Sequence, residues 1–249
     1  MMLSKDEIVH IDISEIDAYE NEIINISNAD LLSTDTVKIK SQRKKEIQKD
    51  NFKKPIKPLV NIVLLIDTSG SMGASDYKPN RLGAAKEAAR MFSKRKVVMN
   101  YSDHVAIIGF GGEAHVFHQL DSNLDEVMQS IEKLSITHTG TNIGSAIQSG
   151  ANLLKNINGK KAMVLLSDGA DKFDSSNPER QAQDLNDIKV FTIGIGTTKG
   201  GRAKLPHGEQ TVFLNEDRLK TIAKVTGGRY IYTPTVMDLQ KIYIELADY

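Results

Sequence analysis

Three short segments of this chain gather oxygen-bearing side chains beside glycine: Asp67-Thr68-Ser69-Gly70-Ser71, Thr139-Gly140-Thr141 and Ser167-Asp168-Gly169. Asp67, Ser69 and Ser71 stand at alternate positions. Gly70 lets the backbone between them fold tightly enough for their oxygens to converge. Together with Thr141 and Asp168 they make a set of carboxylates and hydroxyls with no His among them, in a chain with no Cys. Such an all-oxygen, hard-ligand set suits Mg²⁺, with Mn²⁺ or Ca²⁺ as substitutes, whereas zinc would normally recruit nitrogen or sulfur. If the hydroxyls of Ser69, Ser71 and Thr141 bind directly while Asp67 or Asp168 acts through water, the ion stays electrophilic. It then seeks an anionic ligand from outside.

Other chemistries fit less well. An Mg²⁺-dependent phosphatase with Asp67 as nucleophile needs a second acid two residues on, where Ser69 stands. Ser71 as a hydrolase nucleophile lacks the glycine two residues before it. Gly194-Ile195-Gly196 followed by Gly200 places its third glycine one residue late for a dinucleotide fingerprint, and no helix is expected to open there. No Walker A sequence is present, so nucleotide hydrolysis by this chain alone is not expected. His115 and His118, three apart on an expected strand, face opposite sides. His138 reads as a solvent-facing loop residue near the metal, and Asp171, Lys172 and Asp174 as an exposed rim. Any one Ser or Thr taken alone is a cap or turn hydroxyl; the set together points to a metal, and no catalytic residue is expected.

The elements that must position these residues are legible as alternating segments. Ile62–Ile66, Val105–Ile108, Met163–Leu166 and Val190–Ile195 are continuous runs of Val, Ile and Leu with few interruptions, as in strands buried on both faces of a parallel sheet. Ala114–Leu120 follows Val105–Ile108 across Gly111-Gly112, which predicts a tight hairpin and one antiparallel edge strand. Leu82, Ala85, Ala89 and Phe92 recur at helical spacing, as do Leu124, Val127, Ile131, Leu134 and Ile143, Ile147, Ala151, Leu154. Helices near Glu216–Val225 and Val236–Leu246 flank a short strand at Tyr230–Tyr232, and Gly227-Gly228 caps the first of them. The expected fold is α/β: a doubly wound, mostly parallel sheet with helices on both faces, over residues 58–249. In such sheets ligands gather at the carboxyl ends of the strands, where all three oxygen-rich segments fall.

Residues 1–57 have a different texture. Up to Asp35, acidic residues face only Lys5; from Lys38 to Lys57 the sign reverses, and Pro55 and Pro58 close the run. This reads as a charged tether, with short strands suggested around Val9–Ile13 and Ile24–Ile26. The 249 residues carry 32 Lys+Arg against 32 Asp+Glu, which gives no global case for nucleic acid or an anionic membrane. Without Cys there are no disulfides or thiolate chemistry. The longest apolar stretch, Leu59–Ile66, is interrupted by Asn61 and falls far short of the ~20 residues that span a bilayer. The N-terminus turns acidic at once and offers no continuous apolar segment, so a cytoplasmic location is expected.

Asp67-Thr68-Ser69-Gly70-Ser71, Thr141 and Asp168, in this order and on these elements, resemble the metal-ion-dependent adhesion site of von Willebrand factor A domains. The resemblance covers roughly residues 59–249 and includes Arg81-Leu82, Ala85-Lys86, Asp103-His104-Val105 and Gly194-Ile195-Gly196-Thr197. The stretch through Leu205-Pro206, Leu219–Ala223 and Gly227-Gly228-Arg229-Tyr230 is similar to the bacterial Bat-type aerotolerance branch, whose members usually carry transmembrane helices. The resemblance implies a non-enzymatic interaction module. Ser69, Ser71 and Thr141 would be direct or near-direct Mg²⁺ ligands, and Asp67 and Asp168 would act through waters or from behind the residues that touch the ion. A protein partner would supply Asp or Glu to the metal. The alternative is an interaction subunit of an AAA+ ATPase assembly of MoxR or chelatase type; a lesser one is an Mg²⁺-dependent hydrolase.

Overall fold

The structure, a computed structural model, describes residues 59–99, 103–170 and 177–247. The chain divides into two units, Met1–Ile56 and Lys57–Tyr249, and every described residue lies in the second. The tether, its suggested strands, and Asp171, Lys172 and Asp174 lie outside the described residues. In chain order the elements are β1 (Val60–Asp67), a 3-10 turn (Gly70–Gly73), α1 (Arg81–Met99), β2 (His104–Phe110), β3 (Ala114–Asp121), α2 (Leu124–Lys133), α3 (Ile143–Leu154), β4 (Lys160–Ser167), α4 (Pro178–Gln183), β5 (Lys189–Ile195), β6 (Gly201–Leu205), β7 (Gly208–Val212), α5 (Glu216–Val225), β8 (Tyr230–Thr233) and α6 (Val236–Ala247).

β1 is buried at every position because it lies in the middle of the sheet, with β2 and β4 paired in parallel on its two sides. The six strands run in the order β3-β2-β1-β4-β5-β8. Only β3 is antiparallel, and its register against β2 is shifted near Ile107. The period of two along β1 divides the core. Ile62, Leu64 and Ile66 face α1, α2 and α6 through residues such as Phe92, Ile131 and Tyr243. Val63 and Leu65 face the opposite layer, where Ile143 and Ile147 of α3 and Leu219 and Ile222 of α5 pack. Both faces of the sheet are thus covered, which is why its central strands are continuously apolar. Truncating a residue such as Leu64 to Ala would cost about 2–5 kcal/mol.

The α/β architecture agrees with the expectation, and two features add to it. α4 is a single short helix of 6 residues, too brief to show a periodic face. β6 and β7 form a separate two-stranded sheet, an arm between β5 and α5. In β6, Gly201 and Ala203 are buried while Arg202 and Lys204 are exposed, and β7 is exposed along most of its length. With almost no large apolar residue to alternate, the arm lacks the signal by which strands are read from sequence.

Candidate metal centre

From β1 the chain winds one way to β2 and β3, then returns to place β4 on the other side of β1. The crevice beyond the carboxyl ends of β1 and β4 is therefore where the winding reverses, the usual ligand position in open α/β sheets. Ile66 pairs with Leu166, so Asp67 and Ser167 leave the sheet side by side and Asp168 follows.

Hydrogen bonds fix these side chains. Asp67 Oδ1 accepts from Ser69 N at 2.8 Å, and Asp67 Oδ2 accepts from Ser167 Oγ at 2.6 Å. Ser69 and Ser71 hold their hydroxyls 3.0 Å apart, and Ser71 also hydrogen-bonds Asp168. Ser69 O and Ser71 O accept from Met72 N and Ala74 N, each at 3.0 Å, so the 3-10 turn is pinned under both serines. Asp168 Oδ1 accepts from Ala170 N at 3.1 Å. Gly169 lies at φ +72°, and a Cβ there would overlap the carbonyl oxygen of Asn215, whose own N–H donates to Asp168 O at 2.8 Å.

The loop that carries Thr141 is joined to the serine loop through its backbone. Thr137 N and Oγ1 donate to Thr68 O at 2.6 and 3.1 Å, and Asn142 N donates to Gly111 O at 2.7 Å. Thr141 itself is buried, and α3 opens immediately after it, with Asn142 Oδ1 capping Ser145 N at 2.9 Å. Asp67, Ser69, Ser71 and Asp168 thus form one connected cluster, while Thr141 is placed by its loop and by no direct side-chain bond to the others. His138 is exposed, as expected, and both it and Leu205 of the arm lie close to where a Cβ on Gly70 would stand.

Asp67 and Asp168 are both fully buried. Burial, and then the charge of Asp168, push the Asp67 carboxyl up to about 7, against the bonds from Ser167 and Ser69. Burial likewise raises Asp168 above the ordinary carboxylate range, although Ser71, Arg81 and Ala170 N oppose it. Sequence reasoning gave Arg81 no role. It is fully buried and donates through Nη1 to Asp168 Oδ2 at 2.8 Å, and through Nε and Nη2 to Asp76 at 2.8 and 2.6 Å. Burial alone would lower its pKa, but Asp76 and Asp168 outweigh it and hold the guanidinium above its usual value. Ser167 was visible beside Asp168 but not as a partner of Asp67; Asp76 carried no sequence signal.

Among the described residues, one other grouping has the composition of a metal site: His118, Asp121 and Glu126, with ligand atoms within 4.8 Å of one another. Its bonds are those of a helix start. Asp121 Oδ1 takes His118 Nε2 at 3.0 Å and Asn123 N at 2.7 Å, and Asn123, the N-cap of α2, exchanges bonds with Glu126. His118 is buried and His115 exposed, so they face opposite sides as the spacing required.

Residues 62–170 match the sequence model of the von Willebrand factor type A domain. A curated relative, the UPF0353 protein of Mycolicibacterium gilvum (strain PYR-GCK), is 30% identical over 203 residues, which are 75% of this chain and 59% of that protein. The chain therefore spans about three-fifths of the length of the curated relatives it matches. Among solved structures, BatB from Bacteroides thetaiotaomicron superposes with a TM-score of 0.66 at 22% identity, over 76% of this chain and 98% of that one. An aerotolerance-related membrane protein from Bacteroides fragilis NCTC 9343 gives 0.63 at 25% identity, with the same coverage of 76% and 98%. No described helix of the present chain is long and apolar enough to cross a membrane. Type A domains are in general non-enzymatic protein–protein interaction modules. Residues 62–170 thus match a von Willebrand factor type A domain, and the sheet order and superpositions give the chain the fold of that domain, similar to that of the bacterial Bat-type proteins.

Proposed function

We propose that this domain captures an acidic side chain of a protein partner through a divalent ion, Mg²⁺ by preference, held at the crevice between β1 and β4. The observation that carries the reading is the pair of fully buried carboxylates, Asp67 and Asp168, packed with the Ser69 and Ser71 hydroxyls at the switch point of the sheet. The donor set is oxygen only, which matches a hard cation, and because burial is what raises both carboxyl groups, an ion in the crevice would favour their charged forms. Ser69, Ser71 and Thr141 would supply hydroxyl oxygens, and Asp67 and Asp168 would orient the waters around the ion. Ser167 and Ser69 N aim Asp67; Ala170 N and Arg81 aim Asp168. When bound, the ion supplies an electrophilic position that an Asp or Glu of the partner fills. A hydrolytic role gains nothing from the geometry, since Ser71 bonds to Ser69 and Asp168 and, among the described residues, no His is hydrogen-bonded to either serine.

Calorimetry with Mg²⁺ and Mn²⁺, followed by pull-down from native lysate with and without EDTA, tests this. Ser69→Ala/Ser71→Ala is the cleaner variant, because replacing Asp67 would strand the Ser69 N and Ser167 donors. Wild-type protein should bind one ion and retain a partner only without EDTA, and the double variant should do neither. Equal metal affinity in both proteins, or capture indifferent to EDTA, would remove the metal from the mechanism.

A further inference from the structure

We propose that Arg81 sets the divalent-ion affinity of this centre by acting as a fixed internal cation that occupies one oxygen of Asp168, with Asp76 tuning its effective charge. The proposal rests on the metal-binding reading above and concerns how tightly the ion is held before any partner arrives. Arg81 begins α1 and is fully buried, yet it makes no apolar contribution that a Leu could not make better. Its fork is instead committed to polar partners. Asp76 takes Nε and Nη2 in a two-pronged bond, Asp168 Oδ2 takes Nη1 at 2.8 Å, and Val212 O, at the end of the arm, takes Nη2 at 3.3 Å. The backbone makes room for the group: Gly196 lies at φ +126°, and a Cβ there would stand 2.8 Å from the guanidinium carbon.

Two consequences follow from that placement. Asp168 Oδ2 shares its lone pairs with Arg81, so Asp168 has less to offer the ion and the waters around it. A positive charge also stands permanently behind a carboxylate that faces the crevice, where it opposes a second cation. Both effects weaken the ion's hold and leave more of its charge for an incoming carboxylate. Asp76, only partly buried, neutralises some of the guanidinium charge and so moderates the opposition. At an effective dielectric near 20, a unit charge several ångströms from a divalent ion changes its affinity by about tenfold or more.

The test is an Mn²⁺ titration of the full chain, with free ion followed by electron paramagnetic resonance and no partner present, on wild type, Arg81→Met, Arg81→Lys and Asp76→Asn. Arg81→Met should bind Mn²⁺ about tenfold or more tightly, Asp76→Asn several-fold more weakly, and Arg81→Lys within a few-fold of wild type. In thermal melts Arg81→Met should unfold below wild type without ion and gain more from Mn²⁺ than wild type does. If Arg81→Met does not fold, Asp76→Asn decides alone: weaker binding with an unchanged melt supports the proposal, and unchanged binding overturns it. Weaker or unchanged binding in Arg81→Met makes Arg81 a structural clamp and overturns the proposal while leaving the metal site intact. Absence of saturable Mn²⁺ binding in wild type overturns the metal-site reading and this inference with it.

Discussion

Gly169 and Gly70 both border the candidate centre, and the same substitution should separate them. Gly169→Ala forces an L residue to φ +72° and drives its Cβ into the Asn215 carbonyl, a backbone atom tied back to Asp168. A loss of about 1–3 kcal/mol is expected. Gly70 has no such backbone demand, and its Cβ would meet Leu205 Cδ2 at 2.6 Å, the end of a side chain that can turn away. Gly70→Ala should cost less than about 1 kcal/mol. Urea unfolding of the two variants checks the contrast, and similar losses would show that the Asn215 contact does not constrain the loop. At this scale the sequence disclosed the residues whose spacing is local: Asp67, Ser69 and Ser71 announce themselves within five positions. Arg81 did not, because an arginine opening a helix looks the same whether solvated or buried. The partner that gives it meaning, Asp168, lies 87 residues away.

The arm is joined to the sheet at a narrow neck. Thr197 O accepts from Gly200 N at 3.1 Å and from Leu214 N at 3.4 Å, so the chain leaves and returns at nearly one point. Replacing residues 198–213 with two glycines should therefore leave the six-stranded sheet folded, with a cooperative melt and a nearly unchanged helical signal in circular dichroism. Stability should fall by about 1–3 kcal/mol, since the Ser75 N bond to Arg202 O, the Val212 acceptor for Arg81 and the burial of Ala203 are lost. A protein that no longer melts cooperatively would mean that the arm belongs to the core. The main-sheet strands and long helices were legible because each buries a periodic apolar face, as Leu82, Ala85, Ala89 and Phe92 of α1 do against Ile62 and Leu64. The arm and α4 were not, because their contacts are made by backbone atoms and small residues that leave no pattern.

For the molecule as a whole, the division at Ile56 and Lys57 suggests that the type A domain folds from its own residues. A fragment starting at Pro55 should be soluble, melt cooperatively and bind Mn²⁺ as tightly as the full chain, because the proposed ligands all follow Leu59. A fragment that aggregates, or that needs residues 1–54 added back to bind metal, would place the charged segment inside the domain's working structure. The fold class was readable at this scale from the continuity of Ile62–Ile66 and Met163–Leu166, which only a strand covered on both faces tolerates. The reversal of charge between Asp35 and Lys38 lies outside the described residues.

The central position of β1 also has a consequence in time. It is the first strand of the sheet to be synthesised, yet Ser167, which closes on Asp67, comes 100 residues later. At roughly 5–20 residues per second, translation takes about 5–20 s to cover that interval. Throughout it, the apolar strand Val60–Ile66 can pair with β2 on one side only, and its other edge waits for β4. The nascent chain is thus most exposed to wrong pairing between the emergence of β2 and that of β4. The aspartate pair cannot assemble before that interval ends.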